Sequence, residues 1–261
     1  MGHPAGCQAV IRWVAGLLAC AALAGADTAP LLVYDVDFAD QPVDGPLHLV
    51  DHDGWEAANR AGSPMLPLRA PRFLRYVSAT RTAQVAEHAA GLKRPVVLAF
   101  SESEQPHWGP ILCFPIPERL RAAGRWRIQL DAAKSSIAIS GGIQLWDVGV
   151  VQWFEDGTLR CNGTEVGRYA ANQAQHLDFL VDPTARTARL TVGGVMAAVQ
   201  PWLRPAGVFA EIRMHGLMPG GHAEAPSAMI LDNLRVELLP GPPAGGDAQG
   251  GTRPAEGLAE R

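Results

Sequence analysis

A chain of 261 residues with 48% hydrophobic and 18% charged side chains carries enough apolar surface for a substantial core, and lies far from the composition of a disordered polymer. Its 22 basic residues against 26 acidic ones give a net charge of -4, and no lysine or arginine run marks a phosphate track. Nucleic acid is therefore excluded as an expected partner.

Arg12 precedes the apolar run Trp13 to Ala24. That run is too short for a membrane span of about 20 residues and suits the core of a signal peptide. Ala24-Gly25-Ala26 puts small residues where a signal peptidase reads, so residues 1–26 are predicted as a signal peptide cleaved before Asp27. The mature chain, with no transmembrane span, is expected in the periplasm or outside the cell. The alternative is a membrane-anchored lipoprotein: Leu17-Leu18-Ala19-Cys20 resembles a lipobox, in which Cys20 would be acylated and become the new N-terminus.

From Leu31 the pattern is that of strands. Tyr34, Val36 and Phe38 alternate with Asp35 and Asp37, the period of two that marks a half-buried strand. Residues 41–69 are rich in Pro, Gly and His and read mostly as loop. Further strands are expected over 72–78, 95–101, 125–131 (with Trp126, Ile128 and Leu130 on one face) and 136–147. Short helical pieces are expected at 118–123 and, more weakly, at 82–91.

The strand ending in Trp153-Phe154 runs into Asp156-Gly157, a pair that favours the positive φ of a tight hairpin. A second hairpin places Leu177, Phe179 and Val181 on one strand, a turn at Asp182-Pro183-Thr184-Ala185, and Ala188, Leu190 and Val192 on the return up to Gly193-Gly194. Val208 to Met214 and Ala228 to Leu238 complete the alternation. Residues 27–239 are thus predicted as one domain and 240–261 as a disordered Pro/Gly/Ala-rich tail, which has too little apolar content to offset the entropy of ordering. Cys113 and Cys161 remain after export, either as a disulfide in an oxidising compartment or as two separate buried thiols.

The segment "HLDFLVDPTARTARLTVGG" and the closing strand "ILDNLRVELL", with Asp182, Gly193-Gly194 and Asp232-Asn233 at the turns and in the last strand, resemble the concanavalin A-like lectin and glucanase superfamily. The resemblance is clearest from Val148 to Leu238. It implies an all-β fold, a two-sheet antiparallel β-sandwich of jelly-roll type with minor helical decoration. It also implies a structural calcium tying the opening strand to the closing one, with Asp37 and Asp232 as candidate ligands. The laminarinase-like members carry a Glu-x-Asp-x-x-Glu strand, and this chain has none; the nearest acids are Asp35, Asp37 and Asp40, then Glu102 and Glu104. His48 and His52 are the only histidine pair four apart, and they sit in loop or strand, which does not suit zinc.

Sugar binding asks for exposed aromatic faces, and among the six tryptophans left after export Trp108 and Trp202 lie near prolines in loops. The expected function is an exported, non-catalytic module for a glycan or cell-surface polymer. The alternatives are a glycan hydrolase using Glu102, Glu104, Glu155 or Asp147, and a structural envelope protein.

Overall fold

A computed structural model of the chain describes residues 29–39, 41–44, 47, 73–75, 77, 81–100, 109–122, 124–137, 140–217 and 227–240. The signal segment with Cys20, the lipidation alternative, the tail beyond Pro240, Trp108, and the His48 and His52 pair lie outside the described residues. In chain order the strands are β1 (Leu31–Val36), β2 (Phe73–Arg75), β3 (Arg81–Val85), β4 (His88–Ala89), β5 (Leu92–Lys93), β6 (Val96–Phe100), β7 (Ile111–Pro115), β8 (Arg125–Lys134) and β9 (Gly141–Leu145). They continue as β10 (Gly149–Trp153), β11 (Thr158–Cys161), β12 (Thr164–Arg168), β13 (Gln175–Asp182), β14 (Thr187–Val192), β15 (Val195–Pro201), β16 (Glu211–His215) and β17 (Ser227–Leu239).

Two large antiparallel sheets result. The eight-stranded sheet runs β15-β14-β13-β8-β17-β6-β3, with β1 also on β17; the seven-stranded sheet runs β12-β11-β10-β9-β16-β7-β2. β17 is the spine of the first. From Met229 to Leu239 it pairs with β8, with a bulge between Asp232 and Arg235, while β6 takes its first half and β1 its second on the other side.

Alternation explains the sandwich. Trp126, Ile128, Leu130, Leu177, Phe179 and Val181 point from one sheet into the same core as Leu112, Phe114, Ile143, Leu145, Trp153 and Met214 from the other. Each large apolar side chain fully removed from water contributes about 1.5 to 3 kcal/mol. Tyr34 of β1 fastens the layers directly: its ring meets Phe114 edge-on at 5.4 Å and its hydroxyl donates to the Pro115 carbonyl at 2.7 Å. Such edge-to-face pairs are the favoured aromatic geometry.

The turns follow their residues. Gly157, at φ +77°, closes the β10–β11 hairpin, and Asp182 Oδ1 accepts the amides of Thr184 and Ala185 at 2.9 and 2.8 Å. Among the described residues the helix is one 3-10 turn, Glu118–Leu120, where the sequence predicts a short helical piece. The second expected helix, 82–91, is instead β3 followed by the two-stranded hairpin β4–β5. Ala83 and Val85 alternate inward beside β6, and Ala90-Gly91, both at positive φ, turn the chain. Burial on the sheet thus overrides local helical preference.

Candidate functional site on the seven-stranded sheet

Residues out of phase with the core face outward. On β9, Gln144 lies between the core residues Ile143 and Leu145; on β10, Gln152 lies between Val151 and Trp153; on β16, Arg213 lies between Ile212 and Met214; on β11, Arg160 lies between Leu159 and Cys161. Register sets them in two neighbouring rows, Val150–Gln144–Arg213–Cys113 and Arg160–Gln152–Gly142–His215.

Trp146 stands at the end of this strip, in the turn after β9, where its amide donates to the Glu211 carbonyl at 2.9 Å. The Arg213 guanidinium lies over its ring at 3.7 Å, and Arg213 Nε donates to Glu211 Oε2 at 2.7 Å. Desolvated cation-π contacts of this kind contribute about 1 to 2 kcal/mol and hold the ring in place. The turn itself is fixed by Asp147, whose carboxylate pairs with Arg204 at 3.3 Å and accepts the Val208 amide at 3.2 Å. Gly207 must be glycine here, because a Cβ would come within 2.4 Å of the Asp147 Cβ. At the other end, Arg160 lies 4.2 Å over the Phe154 ring and pairs with Asp156 at 2.5 Å. The strip therefore offers an aromatic ring, two oriented guanidinium groups and two side-chain amides.

Toward β7 the same outer face is dry. Cys113 and His215 are fully buried, and Ile111 and Glu211 nearly so. Burial first, then the charge of Arg213, drives the His215 imidazole down to about 3, so it is neutral at physiological pH. Burial and the adjacent Glu211 push the Cys113 thiol well above its ordinary range.

The structure places the predicted residues as follows. Trp202 does not present its ring to solvent: it is 4% exposed, its Nε1 donates to the Thr187 carbonyl at 3.2 Å, and the Arg186 guanidinium caps its ring at 4.6 Å. The prolines beside it made the segment read as loop, but the indole is the lid of the core edge. Cys113 and Cys161 are both free. The disulfide reading is corrected by topology. Cys161 on β11 points into the core while Cys113 on β7 points out, and four strand spacings separate them, about 19 Å at ~4.8 Å each, beyond the roughly 7 Å limit for a bridge.

Asp232 is 4% exposed and sits opposite Asp131 in the β17–β8 pairing. Its carboxyl is pushed up to about 6 by burial and by the nearby charges of Asp131 and Asp37. The expected calcium ligands Asp37 and Asp232 thus share one neighbourhood, and the carboxylates beside them also serve as hydrogen-bond acceptors. Asp232 accepts the Asn233 amide at 2.8 Å, while Asp131 is engaged by His176 at 2.8 Å and by Asn233 Nδ2 at 2.7 Å. Among the described residues no group of three acidic, histidine or cysteine side chains is arranged to hold a metal ion. Of the candidate hydrolase acids, Glu102 and Glu104 lie outside the described residues, Asp147 is committed to its turn, and Glu155 is on the exposed β10–β11 hairpin.

Sequence reasoning missed Trp146, Gln144 and Arg213 as a unit. The available signal was the polar set alternating out of phase with the core residues of β9, β10 and β16.

No family model and no curated protein matches the chain. Solved structures do. One alginate lyase, Aly36B, superposes with a TM-score of 0.52 at 10% identity, covering 82% of this chain and 100% of the lyase. A sialidase superposes with a TM-score of 0.51 at 13% identity over 62% of this chain, which spans only 16% of that protein. No helix among the described residues is long and apolar enough to cross a membrane. At these identities the likeness is one of fold, and with the two facing antiparallel sheets it establishes that the chain has the concanavalin A-like jelly-roll architecture.

Proposed function

We propose that the chain is an exported, non-catalytic module that binds a glycan or cell-surface polymer along the outer face of its seven-stranded sheet. The observation that carries the reading is the Trp146 ring, braced by Arg213, at the end of a strip holding Gln144, Gln152 and Arg160. A pyranose offers an apolar C–H face and a rim of hydroxyls. A fixed aromatic ring beside amides and guanidinium groups complements both. Two structures sharing the fold are named for a sialidase and an alginate lyase, which makes a carbohydrate the first ligand class to test. Export rests on the signal-like segment 1–26, with acylation at Cys20 the alternative anchor, and the binding domain is assigned to residues 27–239.

The test is glycan-array screening of the mature chain, followed by calorimetry on the best ligand for the wild type, Trp146→Ala and Gln144→Ala. Each variant is expected to weaken binding about tenfold, the loss of roughly 1.4 kcal/mol of contact, with an unchanged circular dichroism spectrum. Undiminished binding in both variants, or no glycan bound at all, would overturn the proposal; release of reducing ends by the wild type would replace it with hydrolysis.

A further inference from the structure

The opposite face of the sandwich carries a second feature that the glycan reading does not use. On the outer side of the eight-stranded sheet lies a groove of about 350 Å³ bounded by Arg125 and Arg127 of β8, Asp178 and Leu180 of β13, Arg189 and Thr191 of β14, and Leu239 of β17. Register explains why they meet. Arg189, Leu180 and Arg127 stand in one row across β14, β13 and β8, and Arg125 sits opposite Leu239 two residues further along β8. Two strand spacings of ~4.8 Å put the Arg189 and Arg127 backbones about 10 Å apart.

The three arginines are not equivalent. Arg127 is held in place by Asp178, through Nε at 3.1 Å and Nη2 at 2.6 Å to the same oxygen. Arg189 and Arg125 have no acceptor among the described residues, and the Arg125 Nε is out of solvent without a hydrogen-bond partner. A buried donor left unmade costs about 1 to 3 kcal/mol, so the Arg125 side chain gains by any turn that brings its Nε to an incoming acceptor. Three guanidinium groups line the groove against the single carboxylate of Asp178, with Glu237 opposite Arg127 on the neighbouring strand, so the lining carries an excess of positive charge in a chain whose net charge is -4. Charge excess here is local, not a property of the whole surface.

We propose that this groove binds the carboxylate-bearing sugar units of an acidic polysaccharide, with Arg125 and Arg189 taking the carboxylates. Arginine is suited to this because its planar fork matches a carboxylate in two parallel hydrogen bonds. Leu180 and Leu239 supply an apolar surface for the ring, while Thr191 and Asp178 Oδ1, whose one contact is Arg127 Nε at 3.2 Å, accept hydroxyl protons. The same sheet face argues against an anionic membrane as the occupant. Asp35, Asp131 and Glu237 also point outward on it, so a flat layer of lipid phosphates would meet acids as well as arginines, whereas a single chain can follow the arginine row alone.

The test titrates the mature chain with tetragalacturonate, with a guluronate tetramer and, as the uncharged control, with galactotetraose, using calorimetry at two salt concentrations. The wild type is expected to bind at least one of the two uronates, more weakly at high salt, and the neutral tetramer at least tenfold more weakly, about the loss of one charge-assisted pair. Arg125→Gln and Arg189→Gln are each expected to weaken uronate binding about tenfold, and Arg189→Lys less, because the charge remains without the fork. Neither residue has a partner among the described residues, so the variants should melt as the wild type does. Trp146→Ala should leave uronate binding unchanged, which separates this site from the one on the other sheet.

No binding of either uronate at millimolar concentration, or unaltered binding in the glutamine variants, overturns the proposal. So does full displacement by equimolar inorganic phosphate, which would mean a bare anion site. Arginine-dependent binding to phosphatidylglycerol vesicles without uronate binding would assign the groove to a membrane instead.

Discussion

Asp232 sits where a carboxylate is hard to ionise, between apolar neighbours and across from Asp131. Burial, then Asp131 and Asp37, raise it from 3.8 to about 6. The folded chain therefore keeps a proton that the unfolded chain releases. Between these values the native state binds more protons, stability falls as pH rises, and at neutral pH the ionised group costs about 2 to 3 kcal/mol at ~1.4 kcal/mol per unit. His215 acts in the opposite sense. Lowered from 6.5 to about 3, it is neutral when folded, so its contribution is present above 6.5 and lost as pH falls toward 3. The two partly cancel in the wild type. Asp232→Asn keeps an acceptor for the Asn233 amide and removes only the charge, so it should raise stability at pH 7 by about 1 to 2 kcal/mol and leave a steeper loss below pH 6. Urea unfolding at pH 4, 5, 6 and 7 measures both. A variant weaker than the wild type at pH 7 would mean that the negative charge is used, as a bound cation would use it. At this scale the sequence was readable where chemistry is local, as in Asp182 capping its own turn. It was unreadable at Trp202, because neighbouring prolines do not say whether the fold will cover the indole, and at Trp146, because alternation does not show which guanidinium the fold will lay over the ring.

Elements were legible in proportion to their amphipathicity. β13 and β14 show clean alternation because each has one face in the core, and the glycine pair between β14 and β15 announces the next reversal. β7 was missed. Its sequence Ile-Leu-Cys-Phe-Pro is buried at every position, so no polar residue marks the outer face, and such a run cannot be told from other buried segments by period alone. The glycine pair also gives a measurable cost. Gly193 and Gly194 have φ of +56° and +83°, and a Cβ at either would touch nothing within 4 Å. Any penalty at Gly194 is therefore conformational. Gly194→Val should lose about 1 to 2 kcal/mol, and Gly194→Asn clearly less, since asparagine tolerates the left-handed region. Thermal melts of the two variants give the comparison; equal losses would show that the turn relaxes to another type.

For the whole molecule, the decisive fact is that the last strand is also the central one. Leu31 pairs with Leu238 near the two ends of the domain, and β17 joins β8, β6 and β1 at once. The sequence indicated an opening strand and a closing strand, but alternation gives only which side faces inward, not which strand lies beside which. Sheet order had to come from the structure. Because β17 closes the eight-stranded sheet, its neighbours cannot bury their edges until the chain is complete, and such non-local pairing makes folding slow, on the scale of roughly milliseconds to seconds. A chain ending at residue 226 should then show no cooperative transition in calorimetry, since β6, β8 and β1 each lose their shared partner. A chain ending at Pro240 keeps every strand of the described residues, and the Pro/Gly/Ala-rich composition of 241–261 offers little apolar surface for packing, so its melting temperature should equal that of the full chain. Cooperative melting of the shorter chain would show that the sandwich does not depend on its spine. A lower melting temperature for the longer one would show that the tail lies against the domain, and the domain boundary would have to move past residue 240.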